Sequence, residues 1–77
     1  MEDAIRLNYE ISPDDFTRAG EASGDVKRKL KQLGVSPEAV RKVAIAMYEG
    51  EINMVIHARG GTIMVEITPQ EILMVLD

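Results

Sequence analysis

Seventy-seven residues make one domain at most, and a chain this short buries little core, so a lone copy is marginal. With no cysteine there is no disulfide, thiolate metal site or cysteine nucleophile, and a single histidine excludes a multi-histidine zinc site. Thirteen acidic against nine basic residues give a net charge of −4, which weighs against a nucleic-acid partner. No apolar run reaches the ~18 residues of a membrane span, and Met1-Glu2-Asp3 lacks the basic start of a signal peptide. A soluble, cytoplasmic protein with no membrane partner is expected.

Residues 4–11 alternate, with Ile5, Leu7, Tyr9 and Ile11 on one face and Arg6, Asn8 and Glu10 on the other, as in a half-buried strand. Ser12-Pro13-Asp14-Asp15 reads as a helix start, with a cap, a first-turn proline and two acids at the positive end. Phe16, Ala19, Ala22 or Ser23, Val26, Leu30 and Leu33 continue at helical spacing, and Gly34 suits the residue that ends the helix. Gly20 and Gly24 weaken this helix and mark a tight contact or a bend. Lys27, Arg28, Lys29 and Lys31 crowd its last turns and read as a solvated helix end.

Ser36, Pro37 and Glu38 repeat the start signal for a second helix running to about Ala58 and closed by Gly60-Gly61. From Val43 to Ile56 this helix is apolar almost all round, which predicts a buried central helix. Residues 62–68 alternate again, with Ile63, Val65 and Ile67 on one face. Thr68-Pro69-Gln70-Glu71 is a turn, and the continuously apolar 72–76 reads as a strand covered on both faces. The order β-α-α-β-β predicts an α+β two-layer sandwich, with two helices on one face of a small mixed sheet.

Glu49, Asn53 and His57 recur every four residues, so they stack on one face of the second helix, beside Gly50. A carboxylate and an amide on a mostly buried helix are costly unless paired or solvated. This face is therefore internally hydrogen-bonded, the wet stripe of an amphipathic helix, or a site. Glu51 is expected to point elsewhere, into solvent. Asp77 closes an apolar strand, a position that faces either a cleft or water.

YEGEINMVIHARGG, residues 48–61, resembles the N-box of the GHKL ATPases, whose shared core is Glu-x-x-x-Asn, here Glu49 and Asn53. His57 and the glycines that follow are most similar to the anti-sigma regulatory factors, the serine/threonine kinases of that superfamily. LMVLD, residues 73–77, looks like the lead-in to the family's Asp-x-Gly-x-Gly box, with Asp77 as its aspartate. The resemblance covers essentially all of residues 1–77, as the amino-terminal half of one ATP-binding domain cut before its glycine boxes. It implies ATP and Mg²⁺ as cofactors. Asn53 would be the metal ligand, Glu49 the catalytic base or water-positioning group, and Asp77 the acceptor for the adenine amine. His57 falls among the cofactor-binding residues without an assigned role. The implied partners are a sigma factor and an anti-anti-sigma-type protein that carries the acceptor serine. Met54 stands where the family often has alanine. The glycine-rich phosphate cradle, the lid and the closing strands are missing from this stretch, so the chain alone is expected to lack catalysis. An open sheet edge predicts a homodimer. The alternative reading is a non-catalytic homodimeric interaction module that keeps part of the fold.

Overall fold

The computed structural model describes residues 4–13, 16–57, 60–68 and 71–77. They form β1 (Ile5–Ile11), a short 3-10 turn (Phe16–Arg18), α1 (Glu21–Gln32), α2 (Pro37–Ile56), β2 (Gly61–Ile67) and β3 (Ile72–Leu76). The two helices pack against a three-stranded sheet of order β1-β2-β3, an α+β arrangement in the expected element order. Both strand pairings are antiparallel, where a mixed sheet was expected. Register follows the pleat: Ile11 lies opposite Gly61, Ile5 opposite Ile67, Ile63 opposite Leu76 and Ile67 opposite Ile72. These pairings put Ile63, Val65 and Ile67 on the buried face.

The first helix starts only after Gly20, one of the two glycines expected to mark a tight contact or a bend. Gly20 sits at φ +96°, a left-handed conformation that ends the preceding turn, and α1 starts one residue later. A Cβ at Gly20 would lie 3.3 Å from Tyr48 Cε1, so the start of α1 is pressed against α2. Ser12 and Pro13 precede the helical turn, and Asp14 and Asp15 of the expected helix start lie outside the described residues. The other end of α1 closes as expected. Gly34 N–H donates to the Lys31 carbonyl at 3.1 Å and Val35 N–H to the Leu30 carbonyl at 3.1 Å. That pair satisfies two carbonyls that the helix itself leaves free.

Ser36 caps α2 through its hydroxyl, which accepts from Ala39 N–H at 3.3 Å, and Pro37 occupies the first turn. The core is one cluster: Ile11 from β1, Ala22, Val26 and Leu30 from α1, Val40, Met47, Met54 and Val55 from α2, and Ile63, Val65 and Ile67 from β2. Two expectations fail at its rim. α2 is not buried all round, since Ile45, Tyr48 and Ile56 are 55%, 46% and 49% exposed. β3 is not covered on both faces, and Leu73, Val75 and Leu76 are exposed. Both segments are apolar beyond what the two-layer core can cover, so periodicity alone overstated their burial. The turn before β3 is held by Thr68 N–H donating to the Glu71 carbonyl at 2.9 Å; Pro69 and Gln70 lie outside the described residues.

Candidate functional site on α2

The position of Glu51 decides which face α2 presents. Its carboxylate is 2% exposed, contrary to the solvated position expected for it. Ala22 N–H donates to Oε2 and Ser23 N–H to Oε1, both at 3.2 Å. These are amides of the first turn of α1, whose own cap residue Gly20 has no side chain to offer. Glu51 therefore caps α1 from a different helix, and its negative charge sits at the positive end of the α1 dipole. The sequence carried a signal for this: positions 47, 51, 54 and 55 form one apolar stripe, and Glu51 is its only polar member.

A residue two positions along an α-helix is turned by about 200°. Glu51 pointing inward thus turns Glu49 and Asn53 outward, and both are exposed. Four-residue spacing keeps their Cβ atoms about 6 Å apart on one flank. His57 closes the helix on the same flank. Its backbone N–H donates to the Asn53 carbonyl at 2.8 Å, and its side chain is exposed. Gly50 lies beside them, and a Cβ there would collide with the Leu76 side chain. The carboxyl end of β3 therefore rests directly on the bare surface that Gly50 leaves on α2.

Asp77 is held at this end by its backbone. Its N–H donates to the Thr62 carbonyl at 2.9 Å and its carbonyl accepts from Thr62 N–H at 3.0 Å. Gly61, at φ +146°, permits the approach: a Cβ there would lie 2.5 Å from the Asp77 carbonyl oxygen. Strand alternation then separates the side chains. Leu76 faces α2, so Asp77, next in the ladder, leaves on the opposite face with Leu73 and Val75. The fold keeps Glu49, Asn53 and His57 on one flank of α2 and brings the Leu76 side chain to Gly50 beside them. The Asp77 carboxylate leaves on the other face of the sheet from that flank.

A second polar cluster ties α1 to the sheet. Asp25 accepts from Tyr9 Oη at 2.7 Å, Lys29 Nζ at 2.7 Å and Arg28 at 2.9 Å. The hydrogen bond from Lys29, then that from Tyr9, lowers the Asp25 carboxyl from 3.8 to about 2. Burial, reinforced by the bond to Asp25, pushes the Tyr9 hydroxyl well above the usual tyrosine range. A cleft of about 420 Å³ opens between β1 and the helices, with Tyr9, Ile11, Arg18, Ala22, Glu51 and Val55 in its wall. None of Glu49, Asn53, His57 or Asp77 lines it. Among the described residues no buried side-chain nitrogen or oxygen lacks a partner, so the cleft wall presents no orphaned polar group to a ligand.

No family model, curated protein or solved structure matches the chain. Among the described residues no three acidic or histidine side chains converge as a metal-ligand set, and no helix is long and apolar enough to cross a membrane.

Proposed function

We propose that this chain carries the metal and base half of an ATP site of the GHKL type, within a regulatory serine/threonine kinase similar to the anti-sigma factors. The observation that carries the reading is the exposed Glu49–Asn53–His57 flank beside Gly50, on which the Leu76 side chain at the end of β3 rests. An exposed amide oxygen on Asn53 is a hard ligand of the kind Mg²⁺ accepts. Magnesium keeps most of its shell from water and phosphate, so one protein oxygen here is chemically sufficient, and the absence of a three-residue ligand cluster among the described residues does not disfavour it. When bound, the metal would neutralise phosphate charge. Glu49, one turn earlier, would accept a proton from the attacking hydroxyl or orient a water. Phosphate binding needs a row of backbone N–H groups, and the flank itself supplies none. Asp77 would, by the same resemblance, accept a hydrogen bond from the adenine amine. By the same resemblance, the protein partners are a sigma factor and a phosphoryl-accepting antagonist.

Calorimetric titration with Mg-ATP tests this reading, on the chain and on a version extended through an Asp-x-Gly-x-Gly segment. Binding by the extended chain, magnesium-dependent and weakened at least tenfold by Asn53→Ala, supports it. An extended chain that folds and binds no nucleotide refutes it.

One observation favours a second reading, a homodimeric interaction module without nucleotide chemistry. β3 is an unprotected sheet edge with Leu73, Val75 and Leu76 exposed. Light scattering that finds a tight dimer indifferent to ATP would favour this reading, and a monomer that binds ATP would remove it.

A further inference from the structure

We propose that the open edge of β3 seats a second copy of this chain, paired antiparallel about a two-fold axis at Met74, so that two three-stranded sheets become one. This deepens the interaction-module reading and rests on it, by naming the surface and the register.

The ladder shows which backbone groups β3 leaves free. Asp77 and Thr62 exchange both of their backbone hydrogen bonds, and at the other end of the strand pair Thr68 N–H donates to the Glu71 carbonyl. Hydrogen-bonded pairs alternate along an antiparallel ladder, so Leu73 and Val75 also turn their N–H and carbonyl toward β2. Ile72, Met74 and Leu76 turn theirs the other way, onto an edge that no described strand covers.

The two edges of the sheet differ. On β1 the residues whose backbone faces outward are Arg6, Asn8 and Glu10, all polar and exposed, which discourages strand addition. Residues 72–76 contain no charge, no proline and no glycine. They are apolar on both faces, and Leu73, Val75 and Leu76 stay nearly half exposed.

Within residues 72–76 the edge is complementary to itself in one register. With Met74 opposite the partner's Met74, Ile72 lies opposite the partner's Leu76, and every outward N–H and carbonyl of both strands is paired. Leu73 then meets the partner's Val75 on the outer face, so every cross-strand contact is apolar. A slip of one residue sets outward groups against inward-turned ones. A slip of two leaves Ile72 or Leu76 without a partner in the other β3. Above this edge α2 presents Gly50, against the Leu76 side chain, and the exposed Ala46 one turn before it. Both are too small to project over an added strand. The register carries one cost: Glu71 falls opposite the partner's Asp77 at each end, and like charges directly opposed weaken a strand pair. A five-residue edge is also smaller than a standard interface of roughly 800 Å² per partner, so micromolar affinity is expected.

Sedimentation equilibrium gives the oligomeric state, and paired cysteines give the register, since the chain has no cysteine of its own. Leu73→Cys and Val75→Cys, both at exposed positions, are made as separate proteins and mixed under mild oxidation. Across the axis their Cα atoms lie about 4.5 Å apart, within disulfide reach. Two copies of either variant alone hold the same atoms roughly 7–8 Å apart, too far to bridge. The mixed disulfide should therefore exceed either homodimeric one at least about tenfold, where random collision gives only the statistical mixture. Glu71→Lys turns both repulsive end pairs into attractive ones. It should tighten the dimer at least about fivefold at low salt, and the gain should shrink as salt is added. A dimer that gives the statistical mixture, favours a homodimeric disulfide, or is not tightened by Glu71→Lys overturns this surface and register, and leaves the interaction-module reading standing. A chain that stays monomeric at millimolar concentration, its edge left to another segment or another protein, overturns both.

Discussion

Acid should loosen the seam between β1 and α1 through one side chain. Asp25 holds Lys29, Arg28 and the Tyr9 hydroxyl, and these contacts lower its carboxyl from 3.8 to about 2. A carboxyl lowered in the folded state stabilises the fold above the unfolded value, near pH 4, and that contribution is lost as the pH falls through 2. A shift of this size corresponds to at most about 2 kcal/mol. Its side chain is 26% exposed and its cationic partners 44% and 69% exposed, so screening reduces this to about 1 kcal/mol. Asp25→Asn keeps an acceptor for Tyr9 and removes the charge. Urea unfolding of both proteins from pH 7 to pH 2 isolates the residue, because every other carboxylate cancels in the difference. The parent should be more stable by about 1 kcal/mol at pH 5–7, and the gap should close between pH 4 and pH 2. A gap that stays constant across the whole range would refute an electrostatic seam.

Three further outcomes follow from the packing. Glu51→Ala strips the cap from two buried amides and should cost about 2–4 kcal/mol by urea unfolding, with Glu51→Gln costing less than half of that. Leu30→Ala empties a fully buried position and should cost about 2–5 kcal/mol, a large share of the roughly 4–12 kcal/mol available to a domain of this size. Gly61→Ala, with a positive φ and the Asp77 carbonyl in the way, should cost about 1–3 kcal/mol. It should also deprotect the Thr62 and Asp77 amides in hydrogen exchange before the rest of the sheet.

Most of the scaffold was legible because its signals are local. Ser36-Pro37 and Gly34 act within one turn, and the alternation in β1 and β2 needs only a sheet with one dry face. The misreadings share a cause, which is that they depend on a partner far along the chain. Gly20 was legible as a tight contact or a bend, but not that Tyr48 is the contact or that the helix starts anew after it. Glu51 reads as a surface acid until the uncapped start of α1 supplies its donors, nearly thirty residues earlier. The apolar outer face of α2 and the apolar β3 resemble core segments, yet two layers cannot cover them. The same limit applies to the site. Four-residue spacing placed Glu49, Asn53 and His57 on one flank. The face taken by Asp77 was set by a register that only the ladder to Thr62 reveals.

The central question is whether the Asn53 flank is a metal-nucleotide surface. Titrating the ¹⁵N-labelled extended chain with Mg-ATP, and recording amide shifts with and without magnesium, asks this directly. Magnesium-dependent shifts are expected at the Asn53 side-chain amide and along residues 49–57, with the buried Val26 and Leu30 amides unmoved. Shifts confined to the Tyr9–Glu51 cleft, or none at saturating nucleotide, would contradict a metal-nucleotide surface there.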